Sequence, residues 1–471
     1  MTSYKEKEPE PYGPIPSSQQ LKWHRMEFYG FIHFTVNTFT DKEWGYGDED
    51  PSIFNPTNLD ARQWARVARD AGMKGLILTC KHHDGFCLWP SKYTEHSVQN
   101  SSWKNGKGDV VGELAAACEE FDLKFGVYLS PWDRNHPQYG NQEYLTYYRN
   151  QLSELLTKYG SVFEVWFDGA NGGDGYYGGA RETRKIDKKT YYDWENTWQI
   201  VRELQPEAVM FSDAGPDIRW VGNEKGIASS TTWCTFNSDD RYPGYNPPGY
   251  DPVEDLGKGH ENGNKWIPPE TDVSIRPGWF YHESENPKSV DKLLEIYYKS
   301  IGRGSTLNLN LPPDHRGLFA ENDIDNLMKL RQKLDQIFDN NLVENAQIKA
   351  VDTRGKNGVF APENLSNADP QEFWAAKNGV KDTELVLEFP EVTEFDHIVL
   401  KETIRLGQRI KSWEIEIYKD GSWDKIAEGT TIGYKRILPL EKVRTQKVKL
   451  KIKDSKACPL LNQIGIYNSD N

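Results

Sequence analysis

The sequence predicts an α/β protein: a (β/α)8 barrel followed by a C-terminal antiparallel β-sandwich. Three observations carry this expectation. From about Tyr29 to Leu311 short apolar runs alternate with stretches of helical spacing, the cadence of parallel strands joined by helices. Polar residues cluster directly after successive apolar runs, where barrels hold their functional groups. Past about Asn345 apolar and polar residues alternate instead, the pattern of strands with one dry and one wet face. An open dinucleotide-binding sheet would show GxGxxG after its first strand. That position holds His33-Phe-Thr-Val-Asn37. The predicted domains are 1–344 and 345–471.

The elements follow in order. Tyr29–Phe34 reads as a strand, Asp60–Ala71 as a helix and Gly75–Thr79 as a strand. Asp109–Phe121 has helical spacing, Phe125–Leu129 is strand-like, Gln142–Tyr159 is helical and Val162–Phe167 is a strand. Lys189–Leu204 is predicted helical and Ala208–Phe211 a strand. From Ile227 to Ile275, rich in Gly, Pro and Asn, the strand signal weakens. Helix Pro287–Gly302, strand Thr306–Leu311 and helix Glu321–Phe338 close the series. The tail segments LVLEF, HIVLKET, SWEIEIYKDGSW and QKVKLKIK, with a turn at Lys419-Asp-Gly-Ser422, predict the sandwich.

Composition narrows the function. A net charge of −14 excludes the basic stripe of a nucleic-acid binder. No apolar run reaches the ~18 residues of a membrane span. Five cysteines without CxxC spacing give neither a disulfide framework nor a zinc ribbon. The polar N-terminus has no signal-peptide core. Sixteen Trp and 24 Tyr are more than a core explains, because several lie in Gly-rich polar loops. Exposed rings beside carboxylates suit the apolar faces of sugars.

The stretch Ser161-Val-Phe-Glu-Val-Trp-Phe-Asp168-Gly-Ala-Asn-Gly-Gly173 is the most informative. It is an apolar strand that ends on a carboxylate, and burying Asp168 without a task would cost several kcal/mol. The bland alternative is a helix cap. Other strand ends supply His33, then Lys81-His82-His83-Asp84, then Tyr128 with Ser130-Pro-Trp132-Asp133, then Asp213 through Glu224, and later Glu270, Arg276, Trp279 and His282. His82-His83 could be a metal pair, but adjacent strand-end residues point apart, so neither metal nor cofactor is expected. Cys87 lacks an activating base. Trp89, Trp132 and Trp220 have loop packing as an alternative role.

KHHDGFCLWPS, GVYLSPWD and VWFDGANGG resemble signature segments of the α-L-fucosidases, glycoside hydrolase family 29. RWVGNEKG, RPGWFYHES and the run around GRGSTLNLNLPPDHRG are similar to the subfamily that cleaves α-1,3/1,4-linked fucose from branched glycans, and the tail resembles a discoidin-like, galactose-binding-type module. The resemblance implies an exo-acting, retaining double displacement on fucosylated oligosaccharides or glycoconjugates. It places the nucleophile on Asp168 and the general acid/base on Glu224; should removal of Glu224 leave the pH profile unchanged, another carboxylate such as Glu270 would hold that role. It implies that His33, His82, His83, Tyr128 and Trp166 grip the sugar and that Trp279 lines the wall at its methyl group. Trp44, Arg219 and Trp220 complete the candidate binding set. A second sugar pocket is expected among Asn237, Asp239, Arg241, Tyr245, Glu254, His260 and Glu261. The stretch Gly175–Lys189 looks like an insertion. Secretion or a periplasmic site is implied by resemblance, with the cytoplasm open. Two alternatives stay open: a metal-dependent hydrolase on the same barrel, and a non-catalytic sugar-binding protein.

Overall fold

The computed structural model describes residues 7–355, 358–367, 369 and 371–470. Eight parallel strands close a barrel: β1 (Phe28–Ile32), β2 (Gly75–Lys81), β3 (Lys124–Leu129), β4 (Val162–Trp166), β5 (Val209–Ser212), β6 (Ile218–Trp220), β7 (Pro269–Ser274) and β8 (Thr306–Asn310). They pair in sequential order, and β8 returns to β1 through Phe28↔Leu307. Helices α1 (Ala61–Asp70), α2 (Val110–Glu120), α3 (Gln142–Lys158), α4 (Trp194–Leu204), α5 (Val290–Lys299) and α6 (Glu321–Phe338) belong to the same domain. Alternation along each strand sorts the side chains. Phe28 and Ile32 join the large cluster that includes Trp64, Leu114 and Leu327 of the helices, while Tyr29 and Phe31 join Ile77, Tyr128, Trp166 and Phe211 in a second, separate cluster. Strands covered on both faces read as unbroken apolar runs, which made them visible in the sequence.

Helix starts are set by side-chain caps. Asp60 accepts from the amides of Arg62 and Gln63 before α1, and Asp109 from that of Gly112 before α2. A short helix, Ser18–His24, opens on a Ser17/Gln20 capping box and sends Trp23 into the barrel, where its indole meets Tyr29 and Glu164.

Two predicted features differ. The helix predicted over Lys189–Leu204 begins at Trp194, because Asp187 folds Lys189 and Thr190 into a turn and Asp193 takes left-handed backbone angles. Strand β6 lies inside the stretch read as one loop after β5. Only Asp213–Asp217 joins the two strands, with no helix between them, and they overlap at just Phe211↔Ile218 and Ser212↔Arg219. A parallel pair ordinarily needs a crossover of a dozen residues, so the usual spacing signal is absent.

The C-terminal domain is a seven-stranded antiparallel sheet. Its strands are β9 (Gln347–Ala350), β10 (Trp374–Ala375), β11 (Thr383–Glu402), β12 (Ile410–Lys419), β13 (Ser422–Gly429), β14 (Arg436–Ser455) and β15 (Leu460–Tyr467), in the order β10-β15-β11-β14-β12-β13 with β9 on β11. The long strands β11 and β14 shift register at Glu388/Thr393 and Phe395/His397, and both halves feed one core with Leu385, Leu400, Ile415 and Ile464. This sheet grips the segment between β6 and β7. Gln408 accepts from the Cys234 amide and donates to the Thr232 carbonyl, and Thr431 accepts from the Thr232 amide. A half-buried Lys435–Glu27 pair ties the same sheet to the barrel.

Candidate active site

A cleft of about 530 Å³ opens at the C-terminal end of the barrel. Three strands show how it is layered. On β4 and just past its end, Glu164, Trp166 and Asp168 lie two residues apart and project inward at successive depths. Glu270 and Asp272 repeat the pattern on β7, as do Tyr29 and Phe31 on β1 with His33 just past its end. The deep layer is a sealed polar knot. Glu164 and Glu270 are both fully buried, and Glu270 accepts from the Tyr29 hydroxyl, the Trp166 indole at 2.8 Å and Asn308 at 3.2 Å. Burial and the neighbouring carboxylate of Glu270 push Glu164 well above the carboxylate range, so the pair holds a proton. Glu270 therefore holds up the floor and does not line the cleft.

Asp168 stands above that floor. Its Oδ2 accepts from the Tyr128 hydroxyl at 2.8 Å and its Oδ1 from the Ala170 amide at 2.7 Å. Burial raises its pKa, and these two donors work against the rise. The imidazoles around it add no positive charge, because burial holds His33 and His83 neutral, each down to about 3, and His82 well below its ordinary value. Ser130 spends its hydroxyl proton on the Trp132 carbonyl, so the His83 Nδ1 at 2.7 Å must be the protonated nitrogen. Its Nε2 lone pair then faces Asp168 Oδ2 at 3.8 Å. His82 and His83 do not point apart: β2 stops at Lys81, and a turn stapled by Asp84 to the Phe86 amide brings the rings to 4.2 Å. Among the described residues no group of three or more His, Cys, Asp or Glu is placed to hold a metal ion.

Glu224 enters from the loop after β6. Trp279 donates its indole N–H to Glu224 at 3.2 Å, and Glu43 fixes Trp279 through its backbone amide. Burial raises the Glu224 pKa, and the charges of Asp168 and Glu43 add to the rise against the Trp279 donor. Trp44, 51% exposed, stands edge-on to His83 at the rim. Trp220 lines the wall and donates to Asp272 at 2.8 Å.

Ten of the eleven predicted site residues thus line one cleft: Asp168, Glu224, His33, Trp44, His82, His83, Tyr128, Trp166, Trp220 and Trp279. Arg219 does not. Its side chain leaves β6 on the face opposite Trp220 and is wholly buried, donating to the carbonyls of Leu256, Ile267 and Trp233. Gly259 leaves room for it, since a Cβ there would sit 2.5 Å from the guanidinium. Of the expected second-pocket residues only Tyr245 faces the cleft. Arg241 and His260 converge on Asp255, Asp239 pairs with Lys265, and Glu261 pairs with Lys411. Arg276 and His282 brace the Trp279 loop through Asp323 and Glu43.

A sequence model described as Alpha-L-fucosidase matches residues 13–336. The chain belongs to the alpha-L-fucosidase family, glycoside hydrolase family 29. A second model, described as F5/8 type C domain, matches residues 347–462. The enzyme is 45% identical to alpha-L-fucosidase 1 of Arabidopsis thaliana over 464 residues, 98% of this chain and 88% of that one. A crystal structure of a glycoside hydrolase 29 family member from an unknown rumen bacterium superposes with a TM-score of 0.87 at 47% identity, covering 98% of this chain and 78% of that one. A Ruminococcus gnavus family 29 fucosidase in complex with fucose gives 0.87 at 31% identity, covering 99% and 98%. No helix among the described residues is long and apolar enough to cross a membrane.

Sequence reasoning missed Phe31, Lys188, Asn246, Tyr250 and Asp272 in this cleft, and gave Asp213 no role. Asp213 had a signal, since it follows a strand, and Gly169 lets its carboxyl approach the end of β4. Asp272 had only a weak one: it alternates with Glu270 in a stretch where the strand pattern had faded.

Proposed function

We propose that the enzyme removes terminal fucose by a retaining double displacement, with Asp168 as nucleophile and Glu224 as acid/base. The single observation that supports this is the pair itself: among the carboxyls lining one cleft, Asp168 follows the end of β4 and Glu224 enters on the loop after β6. An Asp168 oxygen attacks the anomeric carbon as Glu224 passes its proton to the leaving oxygen. The C–O bond breaks and a fucosyl ester forms. Glu224, now ionised, takes a proton from water, whose oxygen attacks the same carbon and returns Asp168 as carboxylate.

The surrounding groups suit these steps. Tyr128 and the Ala170 amide favour the ionised form of Asp168. The neutral imidazoles of His33, His82 and His83 accept from or donate to sugar hydroxyls without adding charge. His82 Nδ1 has no protein partner among the described residues. Trp279 lies 5.1 Å from His33 and offers an apolar wall for the sugar's methyl group. Fucosylated oligosaccharides or glycoconjugates are the substrate class.

For specificity we favour α-1,3/1,4-linked fucose on a branched glycan. The cleft runs on past the carboxyls along Gly244, Tyr245, Asn246 and Tyr250, room for a second sugar beside the fucose. The test of mechanism is the anomer first released from an aryl α-fucoside, read by NMR. α-Fucose supports retention and β-fucose overturns it. The test of specificity compares kcat/KM on a Lewis trisaccharide and an α-1,2-fucosyl disaccharide, with a preference of at least ~10²-fold expected for the branched one.

A further inference from the structure

Four carboxyls line the cleft, and the double displacement uses two. Asp213 is engaged by the Gly244 amide at 2.8 Å, with the charge of Lys188 nearby. Asp272 is different. It is 3% exposed, lies on β7 between the sealed Glu270 and the cleft mouth, and faces the cavity. Its Oδ1 accepts from Trp220 at 2.8 Å. On β8 its register partner is the neutral Asn308. On β6 the one cation, Arg219, is turned away to three backbone carbonyls. The charged groups that bear on Asp272 are Glu224 and Glu270, both carboxyls, and with burial they raise its pKa well above the ordinary range. A buried carboxylate without a cation, set between two like groups, is more stable as the acid.

The first half of the catalytic cycle makes the same demand. The Asp168–Glu224 pair carries one negative charge throughout, on Asp168 before the ester forms and on Glu224 after it. Lys188 is the only Lys or Arg lining the cleft among the described residues. A second, fixed charge at Asp272, which bears on Glu224, would oppose the step that leaves Glu224 ionised.

We propose that Asp272 acts in this site as a neutral carboxylic acid, holding Trp220 through Oδ1 and donating a hydrogen bond from Oδ2 to a hydroxyl of the bound sugar. This rests on the assignment of Asp168 and Glu224 above. Asp272 keeps its proton through turnover. No bond to it forms or breaks.

An amide reproduces one acceptor and one donor at the same positions. Asp272→Asn, which would cripple a residue working as a carboxylate, therefore keeps kcat/KM within about 3-fold of the parent, with both limbs of the pH profile in place. Asp272→Ala loses about 10–100-fold, because Trp220 and the sugar hydroxyl both lose a partner. Infrared difference spectra of the parent against Asp272→Asn at neutral pH show the carbonyl stretch of a protonated carboxyl in the parent alone. That band requires no active enzyme and is not produced by a merely structural ionised Asp. The proposal is overturned if Asn costs as much as Ala, if Ala costs nothing, or if the band is missing. Glu224→Gln, run alongside, separates the two readings. If it keeps the alkaline limb, the acid/base assignment falls, while the band and the Asn/Ala contrast still report on Asp272.

Discussion

The Tyr128 hydroxyl donates to Asp168 Oδ2 at 2.8 Å, with Tyr128 on β3 and Asp168 two residues past Trp166, the register partner of Tyr128 at the end of β4. The donor is thus delivered by the barrel ladder and not by a loop. Tyr128→Phe removes it without opening a cavity. Asp168 then becomes harder to ionise, so the acid limb of kcat/KM moves to higher pH and activity falls about 10–100-fold. A pH–rate profile of the Phe variant checks both, and an unmoved limb would detach Tyr128 from the nucleophile.

Glu224 has to be protonated and Asp168 ionised for the first step. Burial raises both pKa values, so the bell-shaped profile of kcat/KM lies at higher pH than two exposed carboxyls would give. Glu224→Gln should abolish the alkaline limb. It should cost about 10²–10⁴-fold on poor leaving groups and far less on activated aryl fucosides. Equal losses on both substrates would transfer the acid/base role elsewhere.

Arg219 serves the wall of the cleft from behind. Its three carbonyl acceptors, on Trp233, Leu256 and Ile267, all belong to the segment between β6 and β7. Arg219→Met leaves those carbonyls unpaired and should destabilise the protein by about 2–4 kcal/mol in urea unfolding. Arg219→Lys should not rescue it, since one ammonium cannot reproduce the planar fork. The variant that still folds should lose its preference for large substrates before it loses aryl fucoside hydrolysis.

The Glu164–Glu270 pair predicts a pH-dependent stability. The Glu164 pKa is raised in the folded state. Its contribution is therefore complete below the unfolded value of about 4.3 and is lost as pH rises toward the folded value. Glu164→Gln does not titrate. Its Tm relative to the parent should climb steadily as pH rises from about 4. A difference that stays flat between pH 4 and 8 would show that the pair holds no proton.

Much of the barrel was legible because parallel strands buried on both faces are short, apolar and separated by amphipathic helices. Glu321–Phe338 and Gln142–Lys158 stood out for that reason. Strand β6 did not, because it is three residues long and follows β5 with no helix between. Asp168 was legible because a carboxylate ending an apolar run is a local pattern. His82-His83 were read as diverging because strand alternation was extended one residue past the point where Asp84 turns the chain.

Sequence alone determined the two-part architecture, the acidic charge, the positions of Asp168 and the strand-end histidines, and the family likeness carried by their motifs. These depend on residues near one another in the chain. Tertiary structure alone decided that Arg219 faces away from the cleft while Trp220 faces in, that Glu270 props the floor against Glu164, and that Asp272 sits among carboxyls with no cation. Each depends on groups brought together from strands as far apart as β1, β4 and β7. Burial and the sign of a neighbouring charge, which set protonation, exist only once the barrel has closed.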